Sequence, residues 1–172
     1  MFETPEELTD LQSLLDESSV TTGGGLAGFD RTQRLSAKQL AGFRGVRLVA
    51  VASVNRKGEP RVAPRAAAFL HGKFYLAANS KSVTVQRLRA RPDVAISYFE
   101  NHFLLLGHGT VTFLAKGEAE FEIIRKEWEK AFNGGKDALK SEDLFLRVDA
   151  VHLVAFARRP ERYPRAWGLS HR

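Results

Sequence analysis

The sequence predicts a mainly β fold, six antiparallel strands closed into a small barrel with short helices at its flanks. Three observations predict it. Six short apolar segments, rich in β-branched and aromatic residues, are separated by turn residues. They follow one another without the regular strand-helix alternation of a doubly wound parallel sheet. And 172 residues, 44% hydrophobic and 27% charged, suffice for a core that needs no covalent staple. Cysteine is absent, which excludes disulfides, zinc ribbons, iron–sulfur clusters and thiol nucleophiles.

Each element has a local cause. Thr4 caps a first helix, Pro5 fits its first position, Glu7 completes a capping box, and Leu8, Leu11, Leu14 and Leu15 form its apolar stripe. Residues 18–34 read as a flexible linker. Gly23, Gly24, Gly25 and Gly28 match G-x-G-x-x-G formally, but a dinucleotide fingerprint follows a buried strand and opens a helix, and this one does neither. Ser36 and Gln39 cap a second, short helix ahead of Leu40 and Phe43. Residues 46–54 and 61–70 form a hairpin about Asn55-Arg56-Lys57-Gly58, and His71-Gly72-Lys73 turns the chain into a third strand, 74–79. A helix over 82–91 buries Val85 and Leu88 and ends at Pro92. Strands 93–99 and 102–114 follow, the second with Gly107 and Gly109 as bulge or close-approach positions. An amphipathic helix, 118–133, aligns Phe121, Ile124, Trp128 and Phe132 before Gly134-Gly135 ends it. The last strand is 144–157, and the basic tail carries Tyr163 and Trp167. The expected organisation is a helix and linker over 1–35 and a barrel over 36–172, one domain in all.

Net charge is +6, and it is concentrated: residues 46–114 hold ten basic side chains against three acidic ones. Such a segment attracts phosphate or nucleic acid, or simply solvates. No apolar run approaches the roughly 20 residues of a membrane helix, and the acidic start has no signal-peptide character; a cytoplasmic protein is expected. The five histidines show no zinc-like spacing, and neither a carboxylate pair nor a nucleophile elbow is evident. No metal site or catalytic side chain is therefore assigned, and any reaction falls to a bound cofactor. Two features point to one. Ala66-Ala67-Ala68 leaves room for a flat ring, or for a closely packed helix. Asn79-Ser80-Lys81-Ser82-Val83-Thr84 is a hydroxyl-rich turn into a helix, able to hold a phosphate or merely to cap.

Taken in order, Gly58-Glu59-Pro60, Gly72-Lys73, Phe74-Tyr75, Ser82 with Leu88 and Pro92, and the strand after them resemble the pyridoxamine 5'-phosphate oxidase-like, FMN-binding split-barrel superfamily. The resemblance covers residues 45–114; the N-terminal helices and the Trp128 helix are similar to its deazaflavin-using branch. It implies a six-stranded split β-barrel, a homodimer, and FMN or the deazaflavin coenzyme factor 420 in a groove at the subunit interface. It places cofactor contacts at Ala63, Arg65, Ala66, Ala67, Ala68, Ala77, Ala78, Ser82, Val83 and Thr84, beside Asn79 and Ser80. Family members with firmly bound FMN usually carry Arg or Lys at the positions of Ala63, Val83 and Thr84; here Arg65, Lys81 and Arg87 stand one to three residues away. In the family the chain end reaches a cofactor bound mainly by the partner, which makes Trp167 a lid over the ring, with Arg165 beside it, unless Trp167 packs on its own barrel. The leading expectation is an oxidoreductase moving a hydride between FMN or deazaflavin and a small conjugated substrate. Its alternative is a non-catalytic flavin- or haem-binding protein. The weakest reading is a nucleic-acid barrel stacking bases on Phe69, Phe74, Tyr75, Tyr98 and Phe99.

Overall fold

Alternating strands have one face that must leave water, and closing the sheet on itself buries that face in the barrel interior. The computed structural model describes residues 3–21, 30–43, 45–131, 139 and 143–163. Its strands are β1 (Val46–Val54), β2 (Pro60–Leu70), β3 (Lys73–Asn79), β4 (Asp93–Glu100), β5 (Phe103–Leu114) and β6 (Asp143–Ala157). Its helices are α1 (Pro5–Thr21), α2 (Ala37–Leu40), α3 (Val83–Ala90) and α4 (Ala119–Ala131). The strands close in the order β1-β2-β3-β6-β5-β4, every pair antiparallel. The expected six-stranded barrel with flanking helices is what forms.

The interior is one apolar cluster. Val49, Val51, Ala67, Phe69, Phe74, Leu76, Ile96, Leu105, Leu146 and Leu153 fill the barrel, and Leu11 and Leu15 of α1, Leu40 of α2, and Val85 and Leu88 of α3 complete it from outside the sheet. Phe43, just after α2, stacks on Phe103 with ring centroids 5.0 Å apart and tilts against Tyr98 at 5.1 Å. A second cluster lies on the outer surface, where α4 lays Phe121, Ile124 and Trp128 over Ala68, Leu70, Tyr75 and Phe145. Trp128 meets the Phe145 ring edge-on at 5.4 Å, a geometry worth about 1 kcal/mol beyond the buried area.

The caps form as their residue types require. The Thr4 amide donates to Glu7 Oε2 at 2.7 Å and the Glu7 amide to Thr4 Oγ1 at 3.2 Å. Ser36 and Gln39 make the same reciprocal pair. The linker is shorter than expected. Ser18 belongs to α1 and is buried, because its Oγ accepts the Leu153 amide of β6 at 2.8 Å. Asp30 caps a 3-10 turn, Arg31–Gln33, and the Leu35 amide donates to the Ala155 carbonyl at 2.9 Å. Gly23, Gly24, Gly25 and Gly28, like Phe132 and Gly134-Gly135, lie outside the described residues. The bulge sits at Gly109, with the extra residue on the other strand: His108 pairs with His152 and Gly109 with Ala150, so Val151 is left over and exposed. No described helix is long and apolar enough to cross a membrane.

Candidate functional site

The turn from β3 into α3 is built by side chains that fold back on their own backbone. Asn79 Oδ1 accepts the Lys81 amide at 3.0 Å, the Asn79 carbonyl accepts the Ser82 amide at 2.9 Å, and Ser82 Oγ accepts the Val85 amide at 3.2 Å. Ser82 is thus the N-cap of α3. The cap engages Val85 and leaves the first amides of the helix, those of Val83 and Thr84, pointing out of its positive end. Onto this end β2 sends a cation. Arg65 Nη2 donates to Thr84 Oγ1 at 2.6 Å across nineteen positions of sequence. Lys81 is exposed at the tip of the turn, Ser80 is half-buried, and Arg87, one turn further along α3, is half-buried. The fold therefore gathers Arg65, Lys81, Ser82 and Thr84 around one helix start. Val83 stands beside them 58% exposed.

The alanines divide. Ala63 is half-buried on β2 two residues before Arg65. Ala66 and Ala68 face outward under α4, Ala68 buried and Ala66 packed against that cluster, while Ala67 points into the barrel core. Close packing of a helix, rather than space for a ring, accounts for the small side chains at Ala66 and Ala68. Ala77 packs with the α4 cluster and Ala78 with the barrel core, both half-buried. Arg165 and Trp167 lie outside the described residues. Of the five aromatics suited to stacking bases, Phe69, Phe74, Tyr75 and Tyr98 are core residues and Phe99 is exposed.

Across β1, the first half of β2 and β4 the outer face of the sheet has no cover among the described residues. Leu48, Val62 and Phe99 are 69%, 70% and 62% exposed, and Ala50, Ala52 and Ser97 lie between them in register: Leu48 opposite Ala66, Ala52 opposite Val62, Ala50 opposite Ser97. A flat apolar face with three protruding side chains is unusual on a solvated surface.

A polar network that the sequence reading did not single out lies on the other side of the barrel. Tyr75 donates to Glu120 Oε1 at 2.8 Å, and Arg147 reaches Glu120 Oε2 at 2.7 Å. Arg147 also grips Asp149 through Nε at 2.8 Å and Nη2 at 3.1 Å, and Thr112 adds a 2.6 Å hydrogen bond to the same carboxylate. Burial and the Glu120 carboxylate push the Tyr75 hydroxyl well above its ordinary range. Burial also raises Asp149, but the hydrogen bonds from Arg147 and Thr112 and the nearby charges outweigh it and hold the carboxyl low. The available signal was the pair Arg147 and Asp149, two opposite charges two residues apart on one face of a largely apolar strand.

Residues 35–155 match the family model for pyridoxamine 5'-phosphate oxidase. No curated protein sequence matches the chain. Among solved structures, the conserved hypothetical protein Rv2991 from Mycobacterium tuberculosis superposes with a TM-score of 0.57 at 18% identity, covering 69% of this chain and 82% of that one. A factor 420 reductase gives 0.52 at 15% identity, with 66% of this chain and 94% of the other covered. A heme binding protein from Mycobacterium smegmatis also gives 0.52 at 15% identity, covering 66% of this chain and 49% of its own. At these identities the superpositions establish the shared fold.

Proposed function

The chain belongs to the pyridoxamine 5'-phosphate oxidase family, and we propose that it binds FMN or the deazaflavin factor 420 at the β3–α3 turn and works as a flavin-type oxidoreductase on a small conjugated substrate. The observation that carries the reading is Arg65 held against Thr84 at the start of α3. A guanidinium, a hydroxyl and two outward backbone amides at the positive end of a helix are the donor set a phosphate requires. Lys81 adds long-range attraction from the tip of the turn. The bound coenzyme supplies the hydride chemistry. The protein's part is to fix the phosphate with Arg65, Thr84 and the α3 amides, and to offer Ala63 and exposed Val83 as small or apolar contacts for the ring.

The bare face carrying Leu48, Val62 and Phe99 supports the homodimer, since covering those three side chains requires another apolar surface. The partner's tail would then bring Arg165 and Trp167 to the coenzyme, and the reaction would be cytoplasmic. The absence of Arg or Lys at Ala63, Val83 and Thr84 favours the second reading, a flavin or haem carrier without turnover; a heme binding protein shares the fold.

Titration of the purified protein with FMN, factor 420 and haemin, followed by absorbance, separates the readings. Saturable flavin or deazaflavin binding that Arg65→Met weakens by about tenfold or more, the loss expected from one charge-assisted hydrogen bond, supports the site. Binding of haemin alone selects the carrier, and unchanged affinity in Arg65→Met removes the phosphate site. In sedimentation equilibrium the wild type should run as a dimer and Leu48→Glu as a folded monomer; a monomeric wild type at micromolar concentration refutes the interface.

A further inference from the structure

At the opposite end of β3, about 20 Å from the α3 turn by strand rise, α1, the β2–β3 turn, α4 and β6 enclose a cleft of about 470 Å³. That size lies within the range of small-molecule sites. Its floor is hydrocarbon from Leu11 and Leu14 of α1 and Ile123 and Ile124 of α4. Its walls are acidic in a chain whose net charge is +6: Glu7, Asp10, Glu120 and Asp149 line it against one lysine, Lys73.

The acceptors are not equally available. Glu120 spends one oxygen on Tyr75 and the other on Arg147, and Asp149 is occupied by Arg147, Thr112 and, at 3.7 Å, Lys73. On the facing wall Glu7 uses only Oε2, which takes the Thr4 amide at 2.7 Å and contacts His71 Nδ1 at 3.0 Å. Glu7 Oε1 and both oxygens of Asp10 have no partner among the described residues. Arg147 and Lys73 together offset the charges of Glu120 and Asp149, so the uncompensated negative charge of the cleft lies on the facing wall, at Glu7 and Asp10.

We propose that this cleft binds a small amphiphilic cation, a primary amine with a short apolar body. The ammonium sits on Asp10 and Glu7 Oε1, and the body lies over Leu11, Leu14, Ile123 and Ile124. An anion would meet Glu7 and Asp10 with no Lys or Arg opposite them among the described residues, because Lys73 and Arg147 are already committed to Asp149 and Glu120. A hard metal ion would find two of the four carboxylates saturated and a hydrocarbon floor where it needs oxygen. An organic ammonium satisfies both surfaces at once. This inference does not depend on the coenzyme reading.

Calorimetric titration of the full-length protein with n-hexylammonium chloride tests it, with sodium hexanoate and 1-hexanol as probes of the same chain length at constant ionic strength. Hexylammonium should bind saturably at one site, with both counter-probes weaker by roughly fivefold or more, the ratio one half-exposed ion pair supplies. Asp10→Asn breaks no contact among the described residues, so it should keep the wild-type thermal melt and lose roughly the same factor. Absence of saturable binding overturns the proposal. So does equal affinity for hexanol or hexanoate, or unchanged hexylammonium affinity in a folded Asp10→Asn protein.

Discussion

Replacing Gly109 with alanine should injure the barrel more than its size suggests. The β6 bulge at Val151 pushes the neighbouring backbone toward β5, and a Cβ on Gly109 would stand 2.1 Å from the Asp149 carbonyl oxygen and 2.8 Å from the Ala150 Cα. Both obstacles are main chain, so relief requires the strands to part by about 1 Å, against a normal spacing of roughly 4.8 Å. Parting them weakens about two ladder hydrogen bonds at roughly 1 kcal/mol each and adds about 1–3 kcal/mol of overpacking strain. The stiffer unfolded chain returns about 0.5–1 kcal/mol. A net loss of about 3 kcal/mol follows, or a melting temperature lower by roughly 6–12 °C for a chain of this length. Gly107→Ala is the matched control. Its nearest obstacle is the Leu153 Cδ1 at 3.0 Å, the movable end of a side chain, so its cost should stay within about 1 kcal/mol. Thermal and urea unfolding, followed by the fluorescence of buried Trp128, measures both. If Gly109→Ala melted within about 2 °C of wild type, or if Gly107→Ala were the more damaging change, the backbone-clash argument would be wrong.

Trp128→Ala should cost about 3–5 kcal/mol in urea unfolding, because the indole is buried in the α4 cluster against Phe145; a loss below about 1 kcal/mol would show that α4 is not anchored there. The stacked imidazoles of His108 and His152, centroids 4.8 Å apart, should make stability depend on pH. Burial first and the charge of His108 second depress the His152 pKa, with a hydrogen bond to Ser18 opposing them. The neutral ring is therefore the one the fold prefers, and its contribution is complete above the ordinary histidine pKa of about 6.5 and lost as pH falls through the lower folded value. Urea midpoints at pH 7.5 and 5 should differ in wild type and differ less in His108→Ala; an unaltered difference would remove the stack as the cause.

What was legible in the sequence was whatever is settled locally. Thr4 with Glu7 and Ser36 with Gln39 needed only their own neighbours to declare helix starts, and the alternation along 61–70 needed only the pleat. What the sequence left open depends on pairing across long separations. Arg65 and Thr84 were separate candidates until β2 and α3 brought them within 2.6 Å. Tyr75, Glu120, Arg147 and Asp149 come from three elements, and no periodicity announces that they share a network. His108 and His152 lie outside any metal-like spacing and meet only because β5 and β6 pair in that register. The same holds at Gly109: composition flagged the glycine, and only the register shows that the extra residue is on the opposite strand.

Strand β2 shows how one run of small residues serves two purposes. Burial rises along it, from exposed at Pro60, Arg61 and Val62 to buried at Ala67 through Leu70. The C-terminal half is covered on both sides, by the barrel core within and by α4 without, so Ala67 and Ala68 are small because two layers press on one strand. The N-terminal half has no helix over its outer face among the described residues, and there Pro64 and Val62 continue the exposed surface of Leu48, Ala50 and Ala52 in register. Arg65, on the opposite side of the strand from Pro64, is the residue at which the exposed half meets the start of α3. A ligand held by Arg65 and a partner seated on the bare face would thus share the first half of β2. A substitution on the outer face, such as Val62→Glu, is then expected to disturb affinity for the proposed coenzyme only if it also dissociates the proposed dimer. Coenzyme titration run beside sedimentation on that variant would separate the two: weakened binding by a protein that stays dimeric would show that the face itself touches the ligand.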